Sequence, residues 1–84
     1  MTRDEIEELF RRNLRQLREE NGFSQRDLAR RLGICSSYIC DFEKGRRSPT
    51  IRTLAPLAEV LGVSPSALVS AVGTKLARRT LLAS

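Results

Sequence analysis

The sequence predicts an all-α domain with five short helices. Apolar residues recur at helical spacing along most of the chain, and glycines or capping Ser and Thr residues separate the apolar runs. A length of 84 residues allows one domain, residues 1–84. We expect its core within residues 13–72, followed by a C-terminal tail at 74–84.

The first helix is predicted from Arg3 to Asn21. Thr2 and Glu5 form a Thr-x-x-Glu capping box at its start, and Gly22 follows its end. Its apolar residues predict one buried stripe: Ile6, Leu9, Phe10, Leu14 and Leu17. Caps and terminal glycines predict four further helices: Gln25–Leu32, Ser36–Lys44, Thr50 to Leu61, and Ser64 to about Val72. A sixth short helix within residues 74–84 is left open.

Pro56 interrupts the pattern of the fourth helix. Inside a helix, proline deletes the hydrogen bond to the Arg52 carbonyl and clashes with that carbonyl, at a cost of about 3 kcal/mol. We therefore expect a kink, or a helix whose regular part starts late.

The composition excludes several classes of function. The chain has no histidine and only two cysteines, Cys35 and Cys40, which argues against zinc fingers, His-based acid–base catalysis and disulfide scaffolds. A domain this small has little room for an enclosed active site, and no motif supports an enzyme, a cofactor, a metal site or a small-molecule ligand. The cysteines are small filler residues or, alternatively, a redox switch. No secretory signal or membrane span is visible, so we expect a cytoplasmic protein without a membrane partner.

The charge balance points towards nucleic acid without proving it. The chain has 15 Lys plus Arg against 10 Asp plus Glu, a net charge of +5. Thirteen of the basic residues are Arg, whose planar fork binds phosphate oxygens in pairs. Arginines can also simply solvate helices and pair with Glu, and composition alone does not choose between these interpretations.

Residues 24–44 predict a helix-turn-helix, in which the second of two short helices lies in the DNA major groove. Ala29 is small where the two helices must approach. Gly33 occupies the turn, where a positive φ is easiest for a residue without a Cβ. Ile34, Ile39 and Phe42 are predicted to return to the core.

A helical wheel divides the predicted second helix of this motif into two faces. One face is small and polar, whereas the other is apolar. The polar face carries Ser36, Ser37, Cys40, Asp41 and Lys44. Short side chains let a helix approach base edges closely, which favours a groove-facing surface over a merely solvated one. Tyr38 lies at an intermediate angle and could be a core residue or extend its hydroxyl to a phosphate.

Three stretches of this sequence, residues 23–34, 38–49 and 57–63, resemble the phage-repressor and Cro type helix-turn-helix family, also called Xre-like. They read FSQRDLARRLGI, YICDFEKGRRSP and LAEVLGV, and the resemblance covers about residues 13–70. It implies a lambda-repressor-like DNA-binding domain. The short chain and the run Ser37-Tyr38-Ile39 are similar to controller proteins of restriction–modification systems. The function implied is a transcriptional regulator, either controller-like or a phage-type repressor, which represses or activates nearby promoters including its own.

The resemblance also implies roles for individual residues. Gln25 holds the place that contacts the DNA backbone and braces the recognition helix. Ser36 and Ser37 hold the first two base-reading positions, and Asp41 holds a third. The loop after the recognition helix places Arg47 on the DNA, with Arg46 and Lys44 as helpers.

Two further positions follow from the same resemblance. Arg18 and Glu43 correspond to residues that form a buried ion pair in some members of the family. Cys35 stands where the family usually has Ser or Thr as the N-cap of the recognition helix, and cysteine caps poorly.

The C-terminal third predicts a homodimer interface. A recognition helix poor in long donors gives modest discrimination, so tight binding to double-stranded DNA needs a second half-site on a two-fold symmetric operator. Val69 and Val72, with Leu76, provide more apolar surface than a single buried stripe requires, and we expect this excess surface to form the dimer interface. Leu68 is predicted to point inward. The alternative function is an antitoxin or bridging-type interaction module whose main partner is a protein. The basic loop Lys44–Arg47, next to the small polar face of the recognition helix, favours DNA over a protein as the main partner.

Overall fold

The computed structural model describes residues 2–70, which form four α-helices and one 3₁₀ helix. The α-helices are α1 (Arg3–Glu20), α2 (Gln25–Leu32), α3 (Ser36–Lys44) and α4 (Ile51–Leu61), and the 3₁₀ helix spans Pro65–Val69. No strand occurs within residues 2–70. The all-α prediction is confirmed, whereas the prediction of five helices is matched within residues 2–70 by only four α-helices, with a 3₁₀ helix in place of the fifth.

Local sequence signals explain where these helices begin and end. The Thr2 hydroxyl accepts a hydrogen bond from the Glu5 backbone N–H at 3.2 Å, which caps α1. Ser24 and Asp27 form a reciprocal capping box at the start of α2, with both N–H···O distances 3.0 Å. The helix that the sequence places after Ser24 therefore begins as expected.

The core lies where α1 meets the other elements. Thirteen apolar side chains are buried among residues 2–70: Phe10, Leu14, Leu17, Leu28, Ala29, Ile39, Phe42, Leu57, Ala58, Leu61, Val63, Ala67 and Leu68. The rings of Phe10 and Phe42 meet edge to face, with 5.7 Å between their centroids, and so join α1 to α3. The inward position predicted for Leu68 is confirmed. The buried stripe of α1 is shorter than predicted, because Ile6 remains 40% exposed beside an open groove.

Asn13 ties the predicted fifth helix, which is a 3₁₀ helix over Pro65–Val69, to α1. The side-chain amide of Asn13 donates to the carbonyls of Ala67 at 3.3 Å, Leu68 at 3.1 Å and Ser70 at 3.0 Å. A buried polar side chain from α1 therefore anchors the end of this segment.

Pro56 does not delay α4, which starts at Ile51. The first turn is closed by hydrogen bonds from the Thr53 and Leu54 N–H groups to the Thr50 carbonyl, both 3.0 Å. Pro56 and Arg52 are both exposed, so the carbonyl that proline leaves without a helical donor lies on the solvent side. The prediction of a late start is therefore wrong.

Several predictions fall outside the described residues. These are the end of the predicted fifth helix at Val72, the proposed interface residue Leu76 and the sixth helix in 74–84. Within residues 2–70, no helix combines the length and apolarity that crossing a membrane requires.

Candidate nucleic-acid interface

The two short helices α2 and α3 are joined by a turn that brings them into close contact. Gly33 ends α2 with φ +71°, a left-handed conformation that glycine adopts without steric cost. The Ile34 N–H then donates to the Ala29 carbonyl at 3.0 Å, which closes the helix end. Ala29 is fully buried against this turn, as its small size predicts. Ile39 and Phe42 bury the inner face of α3.

The outer face of α3 is small and polar. Ser36, Ser37 and Lys44 are exposed, whereas Cys40 and Asp41 are half-buried. Tyr38 is 39% exposed and lies at the surface. The face predicted from the helical wheel is therefore present, although Cys40 and Asp41 on it are partly covered.

Glu43 connects the outer end of α3 to both preceding helices. The Arg18 guanidinium donates to the Glu43 carboxylate through Nε at 2.6 Å and Nη2 at 3.1 Å. The Gln25 side-chain amide donates to the same carboxylate at 3.2 Å. Arg18 also donates to the Phe23 carbonyl at 2.8 Å. The pair predicted from the resemblance is thus formed, and Gln25, the first residue of α2, braces α3.

This network has little contact with solvent. The side chains of Arg18 and Glu43 are 12% and 7% exposed. The hydrogen bond to Glu43 raises the pKa of Arg18 above its ordinary value, although burial opposes the shift. A desolvated charge pair with several hydrogen bonds fixes the angle of α3 against α1 and α2.

The basic loop begins at a glycine in a left-handed conformation. Gly45 ends α3 with φ +76°, and the Arg46 N–H donates to the Asp41 carbonyl at 2.8 Å. A Cβ at position 45 would lie 2.9 Å from Cδ and Nη1 of Arg11. The half-buried Arg11 side chain thus packs directly over the start of the loop. Nothing in the sequence pattern marked Arg11, since its partner is 34 positions away.

Arg47 lies over the ring of Tyr38. The guanidinium carbon is 4.3 Å from the ring centroid, within the range of a cation–π contact. The stacking holds the loop against α3 without neutralising the positive charge. Further along, the Ser48 hydroxyl donates to the Glu7 carboxylate at 2.7 Å, which ties the end of the loop to α1. Spacing alone could not reveal the stacking or this hydrogen bond.

The start of α3 lacks a side-chain cap. Cys35 is the N-cap residue and makes no capping hydrogen bond, as expected for cysteine. The first turn is closed through the backbone, where the Tyr38 N–H donates to the Cys35 carbonyl at 3.0 Å. The N-terminal end of α3 therefore has no side-chain hydrogen bond to hold it, whereas the C-terminal end is held at Glu43 by Arg18 and Gln25.

Together these features define a helix-turn-helix protein, with α3 as the candidate recognition helix. The family model described as Helix-turn-helix matches residues 14–68, so the chain belongs to that family. The resemblance found in the sequence is confirmed. One relative is an uncharacterized HTH-type transcriptional regulator, y4dJ of Sinorhizobium fredii, 39% identical over 66 residues. That match covers 79% of this chain and 86% of the relative.

Two further comparisons agree. Control protein C.SmaI of Serratia marcescens is 35% identical over 71 residues, which cover 84% of each chain. The crystal structure of SinR, a master regulator for biofilm formation, in complex with DNA superposes with a TM-score of 0.69 at 31% identity. It covers 73% of this chain and 98% of that one. Two of these relatives are described as regulators and the third as a control protein.

Proposed function

We propose that this protein is a sequence-specific transcriptional regulator that binds a two-fold symmetric operator as a homodimer and controls its own promoter. The observation that carries the proposal is the small polar face of α3, exposed at Ser36 and Ser37 and half-buried at Asp41, followed at once by the exposed basic loop Lys44–Arg47. A helix of this kind enters the major groove, while cationic side chains bind the flanking phosphates. SinR, a relative in fold and sequence, was crystallised with DNA.

Base reading falls to Ser36, Ser37 and Asp41. Serine hydroxyls can donate or accept, so they pair with several bases, and an aspartate can accept from the amino group of cytosine. Asp41 is half-buried and also repels phosphates, which limits how strongly it reads. Sequence-dependent shape and bending of the operator therefore supply part of the specificity.

Phosphate binding falls to Arg46, Arg47 and Lys44, with Gln25 and Tyr38 at the margins. All three cations are exposed and follow one another around the C-terminal end of α3. Because Arg47 is stacked on Tyr38, its charge is positioned before DNA arrives. Preorganisation of this kind reduces the entropic cost of binding.

The dimer places a second α3 one helical turn of DNA away, about 34 Å. Val69, Val72 and Leu76 form the interface in this proposal. The structure describes the first of them: Val69 is half-buried and lies beside Leu54 and Ile6 at the open edge of the core. A symmetric interface built from the C-terminal third leaves both recognition helices free.

Footprinting on the DNA upstream of the protein's own reading frame tests the proposal, with salt titrations on the protected fragment. Replacing Arg46 or Arg47 by alanine should lower the slope of log K against log salt by about 0.9 for each phosphate that the variant no longer neutralises. Arg15→Ala is the matched control, because this exposed arginine lies outside the proposed surface and pairs only loosely with Glu19, at 3.8 Å. An absent footprint, or equal slopes in all three variants, would refute the proposal and favour a protein-binding module.

A further inference from the structure

Arg11 lies where α1 meets the start of the basic loop. Its Cδ and Nη1 atoms are each 2.9 Å from the position that a Cβ on Gly45 would occupy, so the half-buried side chain rests on the loop backbone. Gly45 stands between two exposed cations, Lys44 and Arg46. Because consecutive Cα atoms are about 3.8 Å apart, the guanidinium of Arg11 lies close to the backbone positions that carry both cations.

The positive charge of Arg11 has no protein partner among residues 2–70. Arg18 is paired with Glu43 at 2.6 Å, and Arg15 lies 3.8 Å from Glu19. Arg11 forms neither an ion pair nor a hydrogen bond within this part of the chain. Partial burial of an unpaired cation is unfavourable, so the fold leaves here a set of N–H donors that an anionic ligand could use.

Arg11 opens onto a cleft that meets the loop at Gly45. The cleft has a volume of about 240 Å³. Its lining residues are Glu8, Arg11, Arg12, Arg15 and Glu43. The Glu43 carboxylate is already hydrogen-bonded by Arg18 and Gln25. Three arginines against the one remaining carboxylate, that of Glu8, leave the cleft positive.

We propose that Arg11 binds a DNA phosphate next to those bound by the basic loop, which extends the DNA interface onto α1. The inference rests on the proposed function, because it takes the loop to lie on DNA phosphates. A guanidinium group binds phosphate oxygens through paired N–H donors. Packing on Gly45 holds Arg11 in place before DNA arrives, so binding immobilises it at a lower entropic cost than exposed Arg15, one helical turn away.

Salt titrations of operator binding test this role. Arg11→Met keeps an unbranched side chain against Gly45 but removes the charge, whereas Arg11→Lys keeps the charge. Arg11→Met should lower the slope of log K against log salt by about 0.9, so the loss of affinity between about 50 and 200 mM salt becomes about 3.5-fold smaller. Arg11→Lys should retain the wild-type slope. Arg15→Met is the matched control on the same cleft and should retain it as well.

An unchanged slope in Arg11→Met overturns the inference. Equal losses in Arg11→Met and Arg11→Lys also overturn it, because packing on Gly45 would then be responsible. An equal loss in Arg15→Met has the same consequence, because any charge on this side of α1 would then act. Arg46→Ala separates this result from DNA binding by the loop: a lowered slope there, with an unchanged slope in Arg11→Met, refutes only the role of Arg11.

Replacing single operator phosphates by uncharged methylphosphonates locates the contact. The wild-type protein should lose affinity at each phosphate that it binds. Arg11→Met should become insensitive to the replacement at one position in each half-site, next to the position at which Arg46→Ala becomes insensitive. Identical profiles for Arg11→Met and the wild type would contradict a direct contact between Arg11 and DNA.

Discussion

Glu43 is the single side chain whose replacement should affect stability most clearly. Its carboxylate accepts hydrogen bonds from Arg18 and from Gln25, and it is almost completely buried. Glu43→Leu keeps a side chain of similar size but deprives the Arg18 guanidinium, 12% exposed, of the carboxylate that it is hydrogen-bonded to. Breaking one side of a buried pair costs about 3 kcal/mol at the lower end of the usual range.

The structure supplies the comparison that separates charge from packing. Arg15 and Glu19 form an exposed pair, 3.8 Å apart with side chains 68% and 58% exposed, so Glu19→Leu should change stability by less than about 0.5 kcal/mol. The double variant Arg18→Met with Glu43→Leu removes both charges together. An apolar pair of similar volume commonly replaces a buried ion pair with little loss of stability, and we expect most of the stability to return.

Urea unfolding followed by far-ultraviolet circular dichroism measures these differences in the free energy of unfolding, and thermal unfolding gives the corresponding change in melting temperature. For a domain of this size, 3 kcal/mol corresponds to a fall in melting temperature of about 12–24 °C. The reasoning is refuted if Glu43→Leu lies within about 1 kcal/mol of the wild type. It is also refuted if the double variant is as unstable as the single one.

Three further predictions follow from separate features. Cys35→Ser supplies the missing cap of α3 and should raise stability by about 1 kcal/mol in urea unfolding, whereas Cys40→Ser, inside the same helix, should not. The hydrogen bond from the Ser24 backbone lowers the pKa of Asp27 below its ordinary 3.8. The stabilisation is therefore present above pH 3.8 and is lost as the pH falls through the lower pKa of the folded state. The free energy of unfolding of Asp27→Asn should differ from that of the wild type at about pH 6 and converge with it in acid, and a difference that stays constant with pH would contradict this. Val69→Glu should be a folded monomer in sedimentation and should bind the operator much more weakly in a gel shift. Ile51→Glu, at a residue 86% exposed, is the control and should remain dimeric. A dimeric Val69→Glu variant would remove this residue from the interface.

The boundaries of the helices could be predicted because their causes are local. Gly33 and Gly45 end helices in left-handed conformations, and Ser24 caps α2, all within three or four residues of the groups they satisfy. The ion pair between Arg18 and Glu43 was available only through the family resemblance, since nothing in the spacing of two residues 25 positions apart specifies a contact.

The predictions from the sequence were wrong or incomplete where local structure depends on residues far away in the chain. Ser64-Pro65 is a valid helix start, yet the segment forms a 3₁₀ helix, and its carbonyls at Ala67 and Leu68 accept from the amide of Asn13, more than fifty positions away. Ile6 fits the helical stripe, but its exposure depends on whether another segment covers it. The stacking of Arg47 on Tyr38 likewise depends on the path of a loop, which periodicity does not describe.

The hydrogen bonds of Asn13 also determine when this chain can fold during synthesis. Its amide finds its partners only at residues 67–70, so α1 cannot complete its packing until the ribosome has released that stretch. A transcript cut short before codon 67 would yield a chain that contains α2 and α3 but lacks Ala67 and Leu68 from the core. Such a fragment would present exposed apolar surface to cellular proteases. Incomplete translation would therefore produce degraded peptide rather than a half-functional competitor for the same DNA.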